Sequence, residues 1–441
     1  MQMPRRFSLL LVLSLAGAGP LSSQAPSARD VIGAYARLGA QSPWPGFKPD
    51  TIPLAIYDGD TTWLAGHPSP PAEFLPGPAL SLFFVPGQHE SVKANTAVPL
   101  GGVFTATLLL DRTRPVSAAR WAATAIHEAF HVYQHAHHAD WTGNEGELFT
   151  YPVAAETPQR LQRLETEAWR RAVTRGPAVC WARTALQYRQ LRFGLLPVGA
   201  VTYERGSELN EGLATYVELR AAGLDSISFP ASGYSPDEVR LRAYTVGPAI
   251  GRLLDQASPA WRETLERGPT RPLDDLLQAA VGPGERCRFT AHEEDSVRTL
   301  ARADVQAVRS RRQALRDSVL SATGWRIEIV ADSAFPLFPE RFDPWNVVPV
   351  GDGMVVHRRF LRLAKDGLTA EVLDRTALTE PAGSHPLFNG IRRLLISGLP
   401  EAPIVEDRPG SLLVTAPGVR IEGRVAGVDR TANLIRIRAG P

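Results

Sequence analysis

The stretch Ala125–His131, Ala-Ile-His-Glu-Ala-Phe-His, constrains this chain more than any other. It contains the pattern His-Glu-x-x-His, and positions i and i+4 of an α-helix lie on the same face. His127 and His131 can therefore aim two imidazoles at one point, which provides half of a tetrahedral zinc site. Glu128 lies about 100° round the helix from His127, where a general base for a metal-activated water belongs. We predict that both histidines are metal ligands and that Glu128 is catalytic.

The residues around this motif predict that its helix is buried. Apolar side chains occupy most sides of the segment, namely Trp121, Ala122, Ala125, Ile126, Ala129, Phe130, Val132 and Tyr133. The alternative is a solvated helix with scattered His and Glu residues. Polar groups in a buried helix need partners, because burial without them is costly. A zinc ion would supply those partners, so we favour a metal site.

Length and composition are those of a folded globular protein. The chain has 441 residues, which exceeds a usual single core, so two or three domains are expected. Hydrophobic residues make up 44% of the chain and charged residues 21%. A formal net charge of +2 gives no reason to expect nucleic acid or an anionic membrane surface as a partner.

The N-terminus has the features of a signal peptide. The basic pair Arg5-Arg6 precedes a short apolar run over residues 7–18, and Ser23-Gln24-Ala25 is a suitable cleavage sequence. We predict a signal peptide over residues 1–25 and an exported mature protein. No later stretch is long and apolar enough to predict a membrane span.

The chain has two cysteines, Cys180 and Cys287. In an exported protein such a pair can form one disulfide bond, because the compartment is oxidising. Two separate buried thiols are the alternative, and the sequence leaves both possibilities open.

Hydrophobic periodicity divides the mature chain into three parts. Residues 26–115 are strand-rich and end in a strong strand at Val103–Leu110, and Ser117 is a suitable N-cap for the histidine helix that follows. Residues 116–322 have helical spacing and contain the predicted zinc-binding residues. Over residues 323–441 the period changes to two, which predicts a small β-rich C-terminal domain.

A catalytic zinc site takes three protein ligands and keeps one open position. One candidate for the third ligand is His137, at the spacing used when the motif continues as His-Glu-x-x-His-x-x-Gly-x-x-His. Gln134 stands where that pattern has the glycine that lets the chain leave the helix, and glutamine would carry His137 past the site. The second candidate is Glu211, within the segment Asn210-Glu211-Gly212-Leu213-Ala214-Thr215-Tyr216.

This segment resembles the Asn-Glu-Gly-x-Ala-x-Tyr signature of the gluzincin metallopeptidases, which include thermolysin-like and aminopeptidase-type enzymes. The resemblance covers two short motifs in the family's order and implies that Glu211 completes a zinc site with His127 and His131. At Thr215 some relatives carry an acid that holds a zinc-bound imidazole. Glu208, one turn before Glu211, either takes that role or is solvated.

The same resemblance implies an α+β fold with a zincin-like catalytic domain. In that domain the strand directly before the histidine helix is the edge of a mixed sheet, and an extended substrate docks there through main-chain hydrogen bonds. Many relatives also stabilise the reaction's oxyanion with a Tyr or His from a later helix. By this resemblance Tyr244 is the candidate, with a core tyrosine as the alternative. Pro248, in the same segment, is expected to kink or break that helix.

Together these features predict a secreted zinc metallopeptidase that acts on a peptide or protein substrate with Zn²⁺ as its cofactor. Glu128 would accept a proton from the activated water and return it to the leaving amine. The alternatives are a zinc-dependent hydrolase of a non-peptide substrate and a catalytically inactive binding protein of the same fold. The intact Glu128 disfavours the inactive protein, because a purely structural metal site has no use for this carboxylate.

Overall fold

The computed structural model describes residues 25–174, 176–343, 346–408 and 410–440. Apart from Ala25, the predicted signal peptide lies outside these described residues. The chain divides into two compact units. The first consists of Met1–Asn144, Leu161–Tyr234 and Glu238–Val297, and the second of Glu145–Arg160, Ser235–Asp237 and Arg298–Pro441. The predicted mixture of helices and strands, with a β-rich C-terminal part, is confirmed.

The first unit contains a six-stranded sheet. Its strands are β1 (Leu54–Tyr57), β2 (Thr61–Ala65), β3 (Leu75–Pro76), β4 (Leu82–Pro86), β5 (Thr96–Leu100) and β6 (Val103–Leu109). They lie in the order β3-β4-β2-β1-β6-β5, and β1 and β6 are the parallel pair. Leu54 and Ile56 of β1 join the core shared with the helices, whereas Ala55 belongs to a second cluster, as the alternation of a strand requires.

Strand β6 is not the edge of this sheet, so that part of the prediction is wrong. Gly101 and Gly102 have φ values of 54° and 80°, which glycine adopts without strain, and they turn the chain back as a tight hairpin. As a result β5 pairs antiparallel with β6 and is itself the edge strand. Pro99 lies within β5, where the missing amide is tolerated because the outer side of an edge strand is unpaired.

One helix precedes the sheet along the chain and the others follow it. They are α1 (Ala28–Gly39), α2 (Ala118–His137), α3 (Glu156–Thr174), α4 (Ala178–Phe193), α5 (Val198–Ser207), α6 (Leu213–Ala221), α7 (Val239–Ala257), α8 (Trp261–Arg267) and α9 (Leu273–Val281). The histidine helix α2 begins after Ser117, whose side chain accepts a hydrogen bond from the Arg120 amide, so the predicted N-cap is confirmed. Helix α2 packs against α1, α6 and β6, which buries the motif as predicted.

A π-helical turn, Glu208–Gly212, joins α5 directly to α6. Such wide turns occur frequently at functional sites. A Cβ atom on Gly212 would lie 2.8 Å from the Cα of Gly247, so α6 and α7 touch at backbone level here and only glycine fits. Helix α7 continues through Pro248, so the break considered from the sequence does not occur. Proline removes a single hydrogen bond to the Tyr244 carbonyl, and packing against α6 and α9 holds the helix together.

Three acids and three arginines form a buried ionic cluster in the first unit. Its members are Glu165, Arg189, Arg192, Glu204, Glu208 and Arg242. Each is at most 4% exposed, and their formal charges balance. Removing one partner would leave an uncompensated buried charge, which is strongly destabilising. The cluster therefore ties α3, α4, α5 and α7 to the π-helical turn.

Cys180 of α4 and Cys287 form a disulfide bond, which decides between the two alternatives left open by the sequence. The bond links positions 107 residues apart in the chain. Thr184, one turn after Cys180, donates a hydrogen bond to the Cys287 carbonyl at 2.7 Å. The bridge therefore attaches the segment after α9 to α4.

The second unit contains most of helix α10 (Ala291–Leu320) and two further sheets of seven and six strands. The seven-stranded sheet has the order β18-β19-β7-β14-β13-β10-β9 and the six-stranded sheet the order β15-β16-β17-β12-β11-β8. Their strands are β7 (Trp325–Val330), β8 (Phe338–Phe342), β9 (Val347–Gly351), β10 (Met354–His357), β11 (Phe360–Lys365), β12 (Leu368–Leu373), β13 (Ala377–Pro381), β14 (Ile391–Leu399), β15 (Ile404–Arg408), β16 (Ser411–Ala416), β17 (Val419–Gly423), β18 (Val425–Thr431) and β19 (Leu434–Ala439). Among the described residues no helix is long and apolar enough to cross a membrane.

Candidate metal centre

Helix α2 presents His127 and His131 as the motif predicts. His127 is buried and His131 is half-buried, and their Nε2 atoms are 3.1 Å apart. An undistorted helix gives this arrangement, because residues at positions i and i+4 lie on the same face. The two nitrogen atoms therefore point into one small space.

Glu211 brings a carboxylate oxygen into the same space from the π-helical turn. Its Oε2 atom is 3.2 Å from Nε2 of His131 and 3.5 Å from Nε2 of His127. A tetrahedral zinc ion with ligands at about 2.0–2.1 Å requires ligand atoms about 3.3 Å apart. The three separations lie close to that value. His127, His131 and Glu211, hereafter the metal group, are the residues that could hold a metal ion in the described part of the chain.

The chemistry of these donors also fits a cation. Oε2 of Glu211 is fully buried, and among the described residues it makes no hydrogen bond of good geometry, although both imidazoles lie within 3.5 Å of it. Burial opposes a charge on His127, yet the carboxylates of Glu211 and Glu218 raise the pKa of its imidazole to about 10. Without a metal the group therefore takes up protons in its place, and metal binding would release them.

Glu218 of α6 orients His127. Its Oε2 lies 3.2 Å from Nδ1 of that imidazole, and its Oε1 accepts a hydrogen bond from Thr124 and pairs with Arg120 at 2.9 Å. A carboxylate on the second nitrogen of a metal-binding histidine fixes the tautomer and the ring orientation. The hydroxyl of Thr215 instead donates to the Glu211 carbonyl within its own helix.

The sequence interpretation missed Glu218, although a signal was present. Residues seven apart on a helix differ by about 20° in direction, so Glu218 lies on nearly the same face as Glu211. Glu208 has neither of the roles considered for it. It is buried and accepts two hydrogen bonds from Arg189, at 2.7 and 2.6 Å, within the ionic cluster.

His137 does not join the metal group. Helix α2 continues through Gln134 to His137, whose ring packs against Tyr133 with centroids 4.6 Å apart. Oε1 of Gln134 lies 2.8 Å from Nδ1 of His131 and so holds the second histidine of the motif. His138, which follows α2, is half-buried, and its Nε2 atom is 3.0 Å from the Glu266 carboxylate.

Glu128 lies beside the metal group without being tied to it. It is 7% exposed and has no hydrogen-bond or ion-pair partner among the residues the structure describes. Burial raises the pKa of its carboxyl, while His127 and His131 act in the opposite direction. A buried carboxylate with no partner is costly unless water or a ligand serves it. Its position is that of a group able to exchange a proton with a water molecule at the site.

Helix α7 closes the site with Tyr244 and Arg240, which are one turn apart. The Tyr244 ring stacks parallel to that of His127 at 5.9 Å, and burial, followed by the Glu211 charge, raises the pKa of its hydroxyl. Arg240, which the sequence interpretation missed, donates to Oε1 of Glu211 at 2.7 Å. Glu211 thus has one oxygen held by the guanidinium and the other directed at the histidines.

Comparison of the whole chain with protein-family models, with characterised proteins and with solved structures finds no match. The assignment of a function therefore depends on the geometry of the site.

Proposed function

We propose that this protein is a secreted zinc metallopeptidase of the gluzincin type, with a zincin-like catalytic domain formed by the first unit. The observation that carries the proposal is the convergence of His127, His131 and Glu211 at near-tetrahedral spacing beside the unpartnered Glu128. Two imidazoles and one carboxylate form a donor set used by catalytic zinc, which leaves one coordination position open. A purely structural zinc site is normally closed by four protein ligands.

When bound, zinc supplies Lewis acidity and makes a water molecule acidic enough to attack near neutral pH. Glu128 accepts the proton of that water and transfers it to the departing amine, because it is the nearby carboxylate that no side chain neutralises. Glu218 and Gln134 hold the two imidazoles with their Nε2 atoms toward the metal position. Tyr244, whose ring stacks on that of His127, is the residue proposed to donate a hydrogen bond from its hydroxyl to the oxyanion.

Strand β5 takes the docking role that the resemblance assigned to the strand before α2. It is the edge of the sheet, it precedes β6, and it packs against α2. An extended peptide adding to this edge would lie antiparallel or parallel to β5 through main-chain hydrogen bonds alone. Docking of this kind would favour an extended peptide over a compact non-peptide substrate.

The proposal is tested by incubating the purified protein with a mixed peptide library, with and without a chelator and then with added Zn²⁺. We expect cleavage that chelation abolishes and zinc restores. Glu128→Gln should retain one zinc per chain but lose about 10²–10⁴-fold in rate, because an amide cannot accept the proton. His135→Ala, an exposed position on the same helix, is the matched control and should retain full rate. Near-full turnover by Glu128→Gln, or wild-type protein that binds no zinc, would refute the mechanism. Zinc binding with cleavage of non-peptide substrates only would favour the alternative hydrolase.

A further inference from the structure

Gln134 contacts both the histidine helix and the π-helical turn that carries Glu211. Its side chain is buried, with the residue 3% exposed, and its amide makes three hydrogen bonds. Oε1 is 2.8 Å from Nδ1 of His131, while Nε2 donates to the carbonyls of Leu209 at 2.9 Å and Asn210 at 3.1 Å. One side chain of α2 therefore contacts both a histidine of the motif and the backbone that precedes Glu211.

These contacts determine which way the amide points. The carbonyls of Leu209 and Asn210 can only accept hydrogen bonds, so the NH₂ group must face them. Oε1 then faces Nδ1 of His131, which must carry a proton to donate. His131 is thereby fixed as the tautomer whose Nε2 lone pair points toward Glu211 and His127. Gln134 thus serves His131 as Glu218 serves His127.

The other end of the contact is the π-helical turn that presents the third donor. Glu211 follows Asn210 directly, so an amide that holds the two preceding carbonyls fixes the direction in which this residue leaves the turn. The opposite side of the same turn is held by Arg189, which binds the Glu208 carboxylate with two buried hydrogen bonds. The turn is clamped between an uncharged amide and an ion pair.

We propose that Gln134 is a positioning residue that couples the histidine motif to Glu211, so that loss of its amide disturbs two of the three metal donors together. The inference rests on the proposed metal site but not on peptide cleavage. Its consequence is that a part of the effect of Gln134 on zinc affinity acts through Glu211. Gln134 continues the helix and so disfavours His137 as the third ligand. The same residue would then align Glu211, the other candidate for the third ligand.

The test is zinc affinity, measured by competition with a chromogenic chelator at fixed pH on the full mature chain. Gln134→Met preserves the size of the side chain and removes its hydrogen bonds. We expect zinc affinity to fall about 10- to 100-fold, as for other outer partners of metal ligands. Gln162→Met, at a glutamine 5% exposed on α3, is the control for replacing a buried glutamine outside the metal group and should leave affinity unchanged.

A double-mutant cycle with Glu211→Ala separates coupling from a general loss of structure. Independent effects multiply, whereas coupled residues give a smaller loss for the second change. We expect Gln134→Met to cost markedly less in the Glu211→Ala protein than in the wild type. The proposed coupling would be wrong if the two losses of zinc affinity multiplied, or if Gln134→Met bound zinc as tightly as Gln162→Met. Neither result would contradict the zinc site itself.

A measurement on the wild type covers the case in which Gln134→Met does not fold. In the zinc-loaded protein labelled with ¹⁵N-histidine, NMR should show His131 with a proton on Nδ1 and the metal on Nε2. Zinc on Nδ1, or an unprotonated Nδ1, would overturn the assignment. Wild-type protein that binds no zinc would overturn both this inference and the proposed function. Tight zinc binding without peptide cleavage would refute the peptidase alone, and the cycle would still decide the role of Gln134.

Discussion

Removing the carboxylate of Glu218 should weaken zinc binding without touching a ligand. Glu218 faces Nδ1 of His127 at 3.2 Å and is 7% exposed, so the contact is shielded from water. Burial alone would raise the pKa of its carboxyl, but the hydrogen bond with His127 and the Arg120 charge lower it, so the acid is ionised. Glu218→Gln keeps an oxygen that can accept from the imidazole and removes the negative charge. Glu218→Ala removes both.

The size of the effect follows from what each change leaves behind. Outer partners of metal ligands contribute about 10- to 100-fold in metal affinity. Glu218→Gln should lower zinc affinity by about tenfold, which is about 1.4 kcal/mol, because the hydrogen bond survives without its charge. Glu218→Ala should approach about 100-fold, because His127 then loses the group that fixes its tautomer and Arg120 loses its 2.9 Å partner.

The assay is chelator competition at fixed pH, preceded by thermal unfolding of each metal-free variant to establish that it is folded. Thr215→Val is the control at the position where the resemblance implies an acid. Its hydroxyl donates to the backbone carbonyl of Glu211 one turn earlier and contacts no side-chain donor of the metal group, so zinc affinity should be unchanged. A folded Glu218→Ala protein with wild-type zinc affinity would refute the reasoning. So would a Thr215→Val protein that loses as much as Glu218→Ala.

Zinc affinity should also separate the two candidate third ligands. Glu211→Ala should lower zinc affinity by more than about 100-fold, the loss expected for an outer partner. His137→Ala should leave zinc affinity almost unchanged. The reverse order would show that Glu211 is not a ligand. In the second unit, burial lowers the pKa of His357 to about 3. As pH falls below about 6.5, His357 becomes protonated in the unfolded chain but stays neutral in the folded chain. The free energy of unfolding therefore decreases by about 1.4 kcal/mol per pH unit. Urea unfolding from pH 7 to 4.5 should show this slope, and His357→Asn should remove it; an equal slope in the variant would contradict it.

The local signals in the sequence predicted the parts of the site that one helix determines. The spacing of His127 and His131 and the N-cap at Ser117 depend on contacts within α2, and the structure has both. Gln134 was also understood correctly as a residue that continues the helix past the position of the alternative ligand. These features follow from helix geometry, which does not depend on the rest of the fold.

The remaining features depend on elements that are distant in sequence. The edge position was assigned to β6 because it directly precedes α2, but the hairpin at Gly101-Gly102 places β5 outside it. Glu208 resembled a solvated or metal-supporting acid because its arginine partner is 19 residues away in another helix. Arg240 gave no signal at all, since only the crossing of α6 and α7 brings it to Glu211.

Each donor of the metal group is oriented by a polar partner, and the partners come from three different helices. Glu218 of α6 holds His127, Gln134 of α2 holds His131 and the turn before Glu211, and Arg240 of α7 holds Glu211. The contact between Gln134 and His131 lies within α2, but the other contacts form only once α2, α6 and α7 are packed. Gly212 against Gly247 sets how closely the π-helical turn approaches α7. Zinc binding at the proposed site would therefore require a folded chain. A peptide containing only the His-Glu-x-x-His helix has none of the partners from α6 and α7, so it would lack the third donor and the carboxylate that fixes the tautomer of His127.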